Sequence, residues 1–162
     1  MMIEIKKMTV KHLKEVLRIE ELSFPSPWSF QSFYNEIVSN PYGYYIVAVE
    51  DNRVVGYGGM WILFNECHIT TIAVDPTRRR EGIGRKIMEH LIDKAKEQDV
   101  DWISLEVRIS NTSAQNLYKS LGFEAIGVRR GYYQPNNEDA IIMRLTLKGR
   151  RYNVYPGYRH IL

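Results

Sequence analysis

Val74-Asp75-Pro76-Thr77-Arg78-Arg79-Arg80-Glu81-Gly82-Ile83-Gly84-Arg85 is the stretch on which the fold turns. It joins a β-branched run, Cys67 to Val74, to an amphipathic run, Ile83 to Lys96, whose apolar positions Ile87, Met88, Leu91, Ile92 and Ala95 follow helical spacing. Asp75-Pro76 ends the strand. A basic, Gly-rich turn between a strand and a helix start favours an anion. Free backbone N–H groups and the positive end of the helix dipole converge there, and glycines admit a ligand close to the backbone. A phosphate or pyrophosphate is the natural guest. The stretch is not a Walker loop, because no Gly-Lys-Ser/Thr follows, and not the dinucleotide fingerprint, because Ile87 stands where the third glycine would be. Spacing alone leaves a second reading open, in which the glycines make a tight turn and the arginines are solvated.

Towards the N-terminus the pattern is strand, two helices, then a hairpin. Ile3, Ile5 and Lys6-Lys7-Met8 predict a first strand. Thr9 caps a helix carrying Val10, Leu13, Val16, Leu17 and Ile19 to about Leu22. Pro25 and Pro27 keep Ser23 to Trp28 as a loop, and Ser29 caps a second helix bearing Phe30, Phe33, Tyr34 and Ile37. Tyr44 to Glu50 and Arg53 to Leu63 read as two strands about an Asp51-Asn52 turn, with Asn65-Glu66 turning into the Cys67 to Val74 strand.

Towards the C-terminus, the strand Trp102 to Val107 precedes a short helix, Thr112 to Leu121, ended by Gly122. Phe123 to Val128 and Ala140 to Leu147 close the sheet around the polar loop Gln134 to Glu138. The expected class is α/β, with a mixed, mostly antiparallel sheet of about seven strands and about four flanking helices.

The second informative segment is Leu105-Glu106-Val107-Arg108-Ile109-Ser110-Asn111 and the helix carrying Tyr118. Alternation puts Leu105 and Val107 on one face of the strand and Glu106 and Arg108 on the other. A carboxylate therefore looks out near a strand end. Asn111 is placed to cap the next helix, and Tyr118 returns two turns later on the same face. Taken alone, Tyr118 also fits a packing stripe with Ala114, Leu117 and Leu121, and Glu106 fits a surface ion pair with Arg108 or a lysine. His12 and His90 lie on charged helix faces, His160 lies near the end, and His68 follows Cys67 in a strand with no second ligand pair at metal spacing. No metal is expected, and Cys67 reads as a small core residue.

The 162 residues are 44% hydrophobic and 25% charged, enough for one domain with a real core. Net charge is +3, too weak for a nucleic-acid coat protein. Lys148, Arg150, Arg151 and Arg159 carry the excess. Before Lys148, 18 basic residues face 19 acidic ones. The expected division is residues 1–147 as the domain and 148–162 as a basic, Tyr-rich extension. A single cysteine excludes an internal disulfide and fits a reducing compartment. The N-terminal residues lack the pattern of a signal peptide, and the longest uncharged run, Val54 to Asn65, is too short to span a bilayer. A cytoplasmic protein with no membrane or direct nucleic-acid partner, monomeric or weakly dimeric, is expected.

Together these segments resemble the GNAT superfamily of N-acetyltransferases, in element order from Ile3 to Leu147 and in the Gln/Arg-x-x-Gly-x-Gly/Ala motif, here Arg79-Arg80-Glu81-Gly82-Ile83-Gly84. Within it the chain is similar to the RimI type, which acetylates an N-terminal alanine of ribosomal protein S18. The shared pieces are Phe24 with Pro27-Trp28-Ser29, Ile72 to Pro76, Leu105 to Arg108 with Ser110-Asn111, Leu117-Tyr118 with Leu121-Gly122-Phe123, and Arg130 with Tyr132-Tyr133 and Glu138 to Met143. Arg79 departs from the glutamine common in that type, and the tail from Gly149 exceeds the usual end of the fold.

The resemblance implies acetyl-CoA as donor. By it, the backbone of Ile72, Ala73 and Val74 would pair with the pantetheine arm, the N–H groups from Arg80 through Arg85 would hold the pyrophosphate, and Asn111 would touch the arm near the thioester. Glu106 would be the general base and Tyr118 the general acid. Trp28 and Tyr133 would line the acceptor groove, where Glu138 or Asp139 would favour a basic second residue. The acceptor would be a protein N-terminus, a ribosomal protein among the candidates. A broader Ser/Ala/Thr or small-amine acetyltransferase, and an acetyl-CoA-binding regulatory module without turnover, stand as alternatives.

Overall fold

The computed structural model describes residues 2–148; the expected extension over 148–162 lies outside them apart from Lys148. One seven-stranded sheet runs β1 (Glu4–Lys7), β2 (Gly43–Glu50), β3 (Arg53–Leu63), β4 (Glu66–Val74), β5 (Trp102–Arg108), β7 (Glu138–Thr146), β6 (Glu124–Tyr133) in spatial order. Four helices flank it: α1 (Leu13–Ser23), α2 (Phe30–Tyr34), α3 (Ile83–Glu97) and α4 (Thr112–Ser120).

β2 and β3 read as nearly continuous apolar runs because both of their faces are covered. Ile46 and Ala48 join Ile83, Ile87, Met88 and Leu91 of α3 in one core; Tyr45, Val47 and Val49 join Leu13, Val16 and Ile19 of α1 and Phe33 in the other. Gly58 lets α3 approach this closely, since a Cβ there would stand 2.6 Å from the Ile87 side chain.

Every neighbouring pair of strands is antiparallel except β4 and β5. That parallel pair has three register partners, Glu66↔Trp102, Cys67↔Ile103 and His68↔Ser104. Beyond them the two strands part. The cause lies on the other side of β4. Met60 pairs with Ile69 and Gly59 with Thr71, so Thr70 is an extra, bulged residue that bends β4 away from β5. The result is a fork in the middle of the sheet.

Three local readings need correction. Thr9 caps a 3₁₀ turn, Val10–His12, and the α-helix begins at Leu13, which leaves Val10 exposed. The second helix passes into a π-helical turn at Asn35–Ser39. β6 continues to Tyr133 rather than ending at Val128, which places Arg129 on the edge strand beside β7, with its side chain reaching Glu106 of β5. No helix among the described residues is long and apolar enough to cross a membrane.

Candidate active site

A cavity of about 570 Å³ fills the fork. β4 contributes His68 to Ile72, β5 contributes Leu105 to Arg108, and Asn111 and Tyr118 close it from α4. The far end is walled by Glu20, Phe24 and Trp28 on one side and by Tyr132, Tyr133 and Gln134 on the other. Ser26 Oγ, donating to Gln134 O at 3.4 Å, bridges those walls.

The turn after β4 is braced from below. Asp75 accepts from Thr77 N (2.9 Å) and Thr77 Oγ1 (2.8 Å) and pairs with Arg18 Nη2 of α1 at 2.7 Å. Burial works against its charge, but Arg18 and the Thr77 donors outweigh burial and hold the carboxyl at about 2. Arg78 is occupied by Glu50 (3.0 Å) and Glu81 (2.9 Å), so Glu81 anchors the turn from its outer side. Arg79 reaches Ser23 Oγ at 3.4 Å, Arg85 donates to Ser120, and Arg80 adopts φ +65°. Gly82, at φ +81°, is the N-cap of α3, and a Cβ on it would meet nothing within 4 Å. The first backbone bond of the helix runs from Lys86 N to Gly82 O, so the N–H groups of Ile83, Gly84 and Arg85 project from the helix end. Of the three β4 residues expected along the donor, Ile72 lines the cavity, while Ala73 and Val74 continue the same edge towards α3.

Glu106 lies on the outward face of β5, as its alternation predicts, with a side chain 9% exposed. Its Oε2 lies 3.0 Å from His68 Nε2 and its Oε1 3.3 Å from Arg129 Nε. Burial pushes its pKa up, but the His68 contact and the Arg129 charge prevail, so the carboxyl titrates below its ordinary range. Tyr118 is buried against Phe123, and burial, then the neighbouring Tyr133, raise its phenol pKa. Its hydroxyl is therefore held protonated at neutral pH. Asn111 caps α4, accepting from Ala114 N at 3.1 Å, and meets the same cavity.

The four residues expected on the acceptor side divide. Trp28 and Tyr133 line the cavity. Trp28 packs on Phe33, with centroids 5.0 Å apart, while Arg108 sits 4.2 Å over the Tyr133 ring. Glu138 and Asp139 do not join them. Glu138 is bound to Arg108 (3.1 Å) and Ser110 N (2.8 Å), and Asp139 accepts from Gly131 N at 2.8 Å. Glu138 fastens the β6–β7 hairpin to the end of β5, and Asp139 ties the hairpin's two strands to each other.

Sequence reasoning missed His68, Arg129 and Glu20. Glu20 is 2% exposed, accepting from Trp28 N at 2.9 Å and from the Tyr57 hydroxyl. Burial raises its pKa. Its place among apolar α1 positions was a legible signal; the parallel pairing that brings His68 to Glu106 was not. Cys67 is buried in the core, its thiol pushed up to about 11 by burial and then by Glu66. Among the described residues no cluster of three side chains could hold a metal.

An open strand edge, an ionised carboxylate and a protonated phenol thus meet in one cleft ended by aromatic walls, while the turn after β4 and the start of α3 lie outside its lining. Residues 13–123 match the Acetyltransferase (GNAT) family. The chain belongs to that family. A Bacillus subtilis protein provisionally named [ribosomal protein bS18]-alanine N-acetyltransferase is 41% identical over 143 residues, which cover 88% of this chain and 95% of that protein. The crystal structure of the Escherichia coli ribosomal-protein-S18-alanine N-acetyltransferase superposes with a TM-score of 0.84 at 33% identity, covering 95% of this chain and 99% of that one. The NatC complex bound to Gag peptide and CoA gives a TM-score of 0.77 at 26% identity, covering 91% of this chain and 99% of the matched chain. This GNAT member is therefore an N-acetyltransferase by family.

Proposed function

We propose that this GNAT enzyme transfers acetyl from acetyl-CoA to the α-amine of a protein N-terminus, with an N-terminal alanine of ribosomal protein bS18 as its acceptor, in the cytoplasm. The observation that carries the proposal is the meeting of Glu106 and Tyr118 across the fork between β4 and β5. Acetyl-CoA supplies the thioester acetyl group. The N–H groups from Arg80 to Arg85 and the dipole of α3 suit its pyrophosphate, the free edge of β4 at Ile72, Ala73 and Val74 suits its amide arm, and Asn111 lies beside the reacting end.

An amine attacks only when neutral. A peptide α-amine with pKa ~7.7 to 8.0 is roughly 10 to 20% neutral at pH 7, whereas a lysine near ~10.4 is about 0.04% neutral. A weakly basic carboxylate such as Glu106 therefore serves an α-amine and serves a lysine poorly. Tyr118 gives its proton to the departing thiolate. Attack is direct and no covalent enzyme intermediate is needed. The acceptor end offers aromatic rings and amides rather than free carboxylates, which favours selection by the size of the first residue over the charge of the second.

Steady-state kinetics with an alanine-terminated peptide test the roles. Glu106→Gln and Tyr118→Phe each lower kcat by about 10²-fold or more while the acetyl-CoA Kd stays near wild type. Full turnover in Glu106→Gln removes the base assignment.

A further inference from the structure

We propose that His68 is the positioning residue of Glu106 and that Ser104 holds it in the tautomer protonated on Nε2. The proposal rests on the reading of Glu106 as the proton-accepting carboxylate.

The geometry follows from register. β4 and β5 last pair at His68↔Ser104, so these two side chains leave the sheet side by side at the vertex of the fork. Glu106, two residues along β5, shares their face. The imidazole spans the two: Nε2 lies 3.0 Å from Glu106 Oε2 and Nδ1 lies 3.0 Å from Ser104 Oγ. A neutral imidazole carries one ring proton, and an ionised carboxylate only accepts. Nε2 must therefore hold the proton for its contact to be attractive. Nδ1 is then bare and accepts from the Ser104 hydroxyl, which rotates to suit. The opposite tautomer would press a nitrogen lone pair against a carboxylate oxygen.

The other donor to Glu106 is less sheltered. Arg129 is 55% exposed and its contact is 3.3 Å, against 32% exposure and 3.0 Å for His68. A charge-assisted bond shielded from water holds its geometry better than one shared with solvent. His68 thus fixes Oε2 and leaves the receiving lone pair aimed into the cavity.

The proton count agrees. The acceptor enters as an ammonium and gives one proton to Glu106. The nitrogen lone pair forms the C–N bond to the acetyl carbon, the C–S bond breaks with its electron pair going to sulfur, and the sulfur takes the Tyr118 proton. The second amine proton restores Tyr118, and Glu106 releases its proton to solvent. The Nε2 proton of His68 stays on its nitrogen throughout, which makes His68 a positioning residue rather than a proton carrier.

Two measurements on the full chain decide the matter. In the wild type, ¹⁵N–¹H correlations of the imidazole rings show His68 as the Nε2–H tautomer; an Nδ1–H pattern overturns the proposal, and this test needs no variant to fold. In kinetics, His68→Phe, which keeps a ring but no donor, loses about 10- to 100-fold in kcat with acetyl-CoA Kd unchanged. His68→Gln, whose amide can present an N–H to Glu106, recovers to within about fivefold of wild type. Turnover of His68→Phe within about twofold of wild type, or no recovery in a folded His68→Gln, overturns the proposal. An inactive Glu106→Gln beside an active His68→Phe sinks this inference alone. A fully active Glu106→Gln sinks the reading beneath it.

Discussion

Glu20 ties the Trp28 wall of the cavity to the sheet, and its replacement separates architecture from catalysis. The carboxylate takes Trp28 N at 2.9 Å on one oxygen and the Tyr57 hydroxyl on the other, at 2% exposure. Alanine leaves a buried donor, the Tyr57 hydroxyl, and a part-buried one, Trp28 N, without their acceptor. At about 1–3 kcal/mol for each orphaned donor, Glu20→Ala costs about 2–6 kcal/mol. Glutamine behaves differently. Its carbonyl accepts from Trp28 N, and its amide donates to a Tyr57 hydroxyl that turns to accept, so the loss falls to about 1 kcal/mol. The sign with pH is set by burial, which raises the Glu20 pKa in the fold. The cost of ionising it accumulates as pH rises from the unfolded value to the raised folded value, so Glu20→Gln gains on wild type across that window. Urea unfolding followed by tryptophan fluorescence gives the stabilities, and peptide KM reports the displaced Trp28. A Glu20→Ala variant within about 1 kcal/mol of wild type, or a glutamine variant as unstable as alanine, refutes the reasoning.

Asp75→Asn lowers stability near neutral pH. The gap closes in acid, because the stabilisation is complete above the unfolded carboxyl value near ~3.9 and is lost as pH falls through the folded value of about 2; urea midpoints from pH 2 to 7 check this. Gly82→Ala introduces no clash, since a Cβ there meets nothing within 4 Å, but it strains a φ of +81° by about 1–2 kcal/mol; a weaker acetyl-CoA Kd with unchanged peptide KM is the expected result by calorimetry and kinetics. Glu138→Gln together with Asp139→Asn leaves the ratio of peptide KM for basic and neutral second residues unchanged, because both carboxylates are already engaged; a selective loss for the basic peptide contradicts that.

Much of this fold is written locally. β2 and β3, the α3 stripe and the alternation that turns Glu106 outward all follow from apolar spacing, whereas the composition of the turn after Val74 suits an anion and a tight turn with solvated arginines alike. What escaped local reading depends on partners distant in the chain. The bulge at Thr70 exists only relative to β3, and the contact of His68 with Glu106 exists only because β4 and β5 are parallel neighbours. Arg129 was lost because a strand through Gly131 looks broken in sequence, although hydrogen bonding to Asp139 carries it onward. Glu138 and Asp139 misled for the opposite reason: acids near a groove look free until Arg108, Ser110 and Gly131 are found holding them.

The central claim is α-amine acetylation by this fork. CoA release with acetyl-CoA, compared between a free alanine-terminated peptide and the same peptide N-terminally blocked but carrying an internal lysine, tests it most directly. The account predicts rapid release and a single acetyl on the α-nitrogen of the free peptide, with little turnover of the blocked one. Equal or faster acetylation of the lysine in the blocked peptide contradicts it.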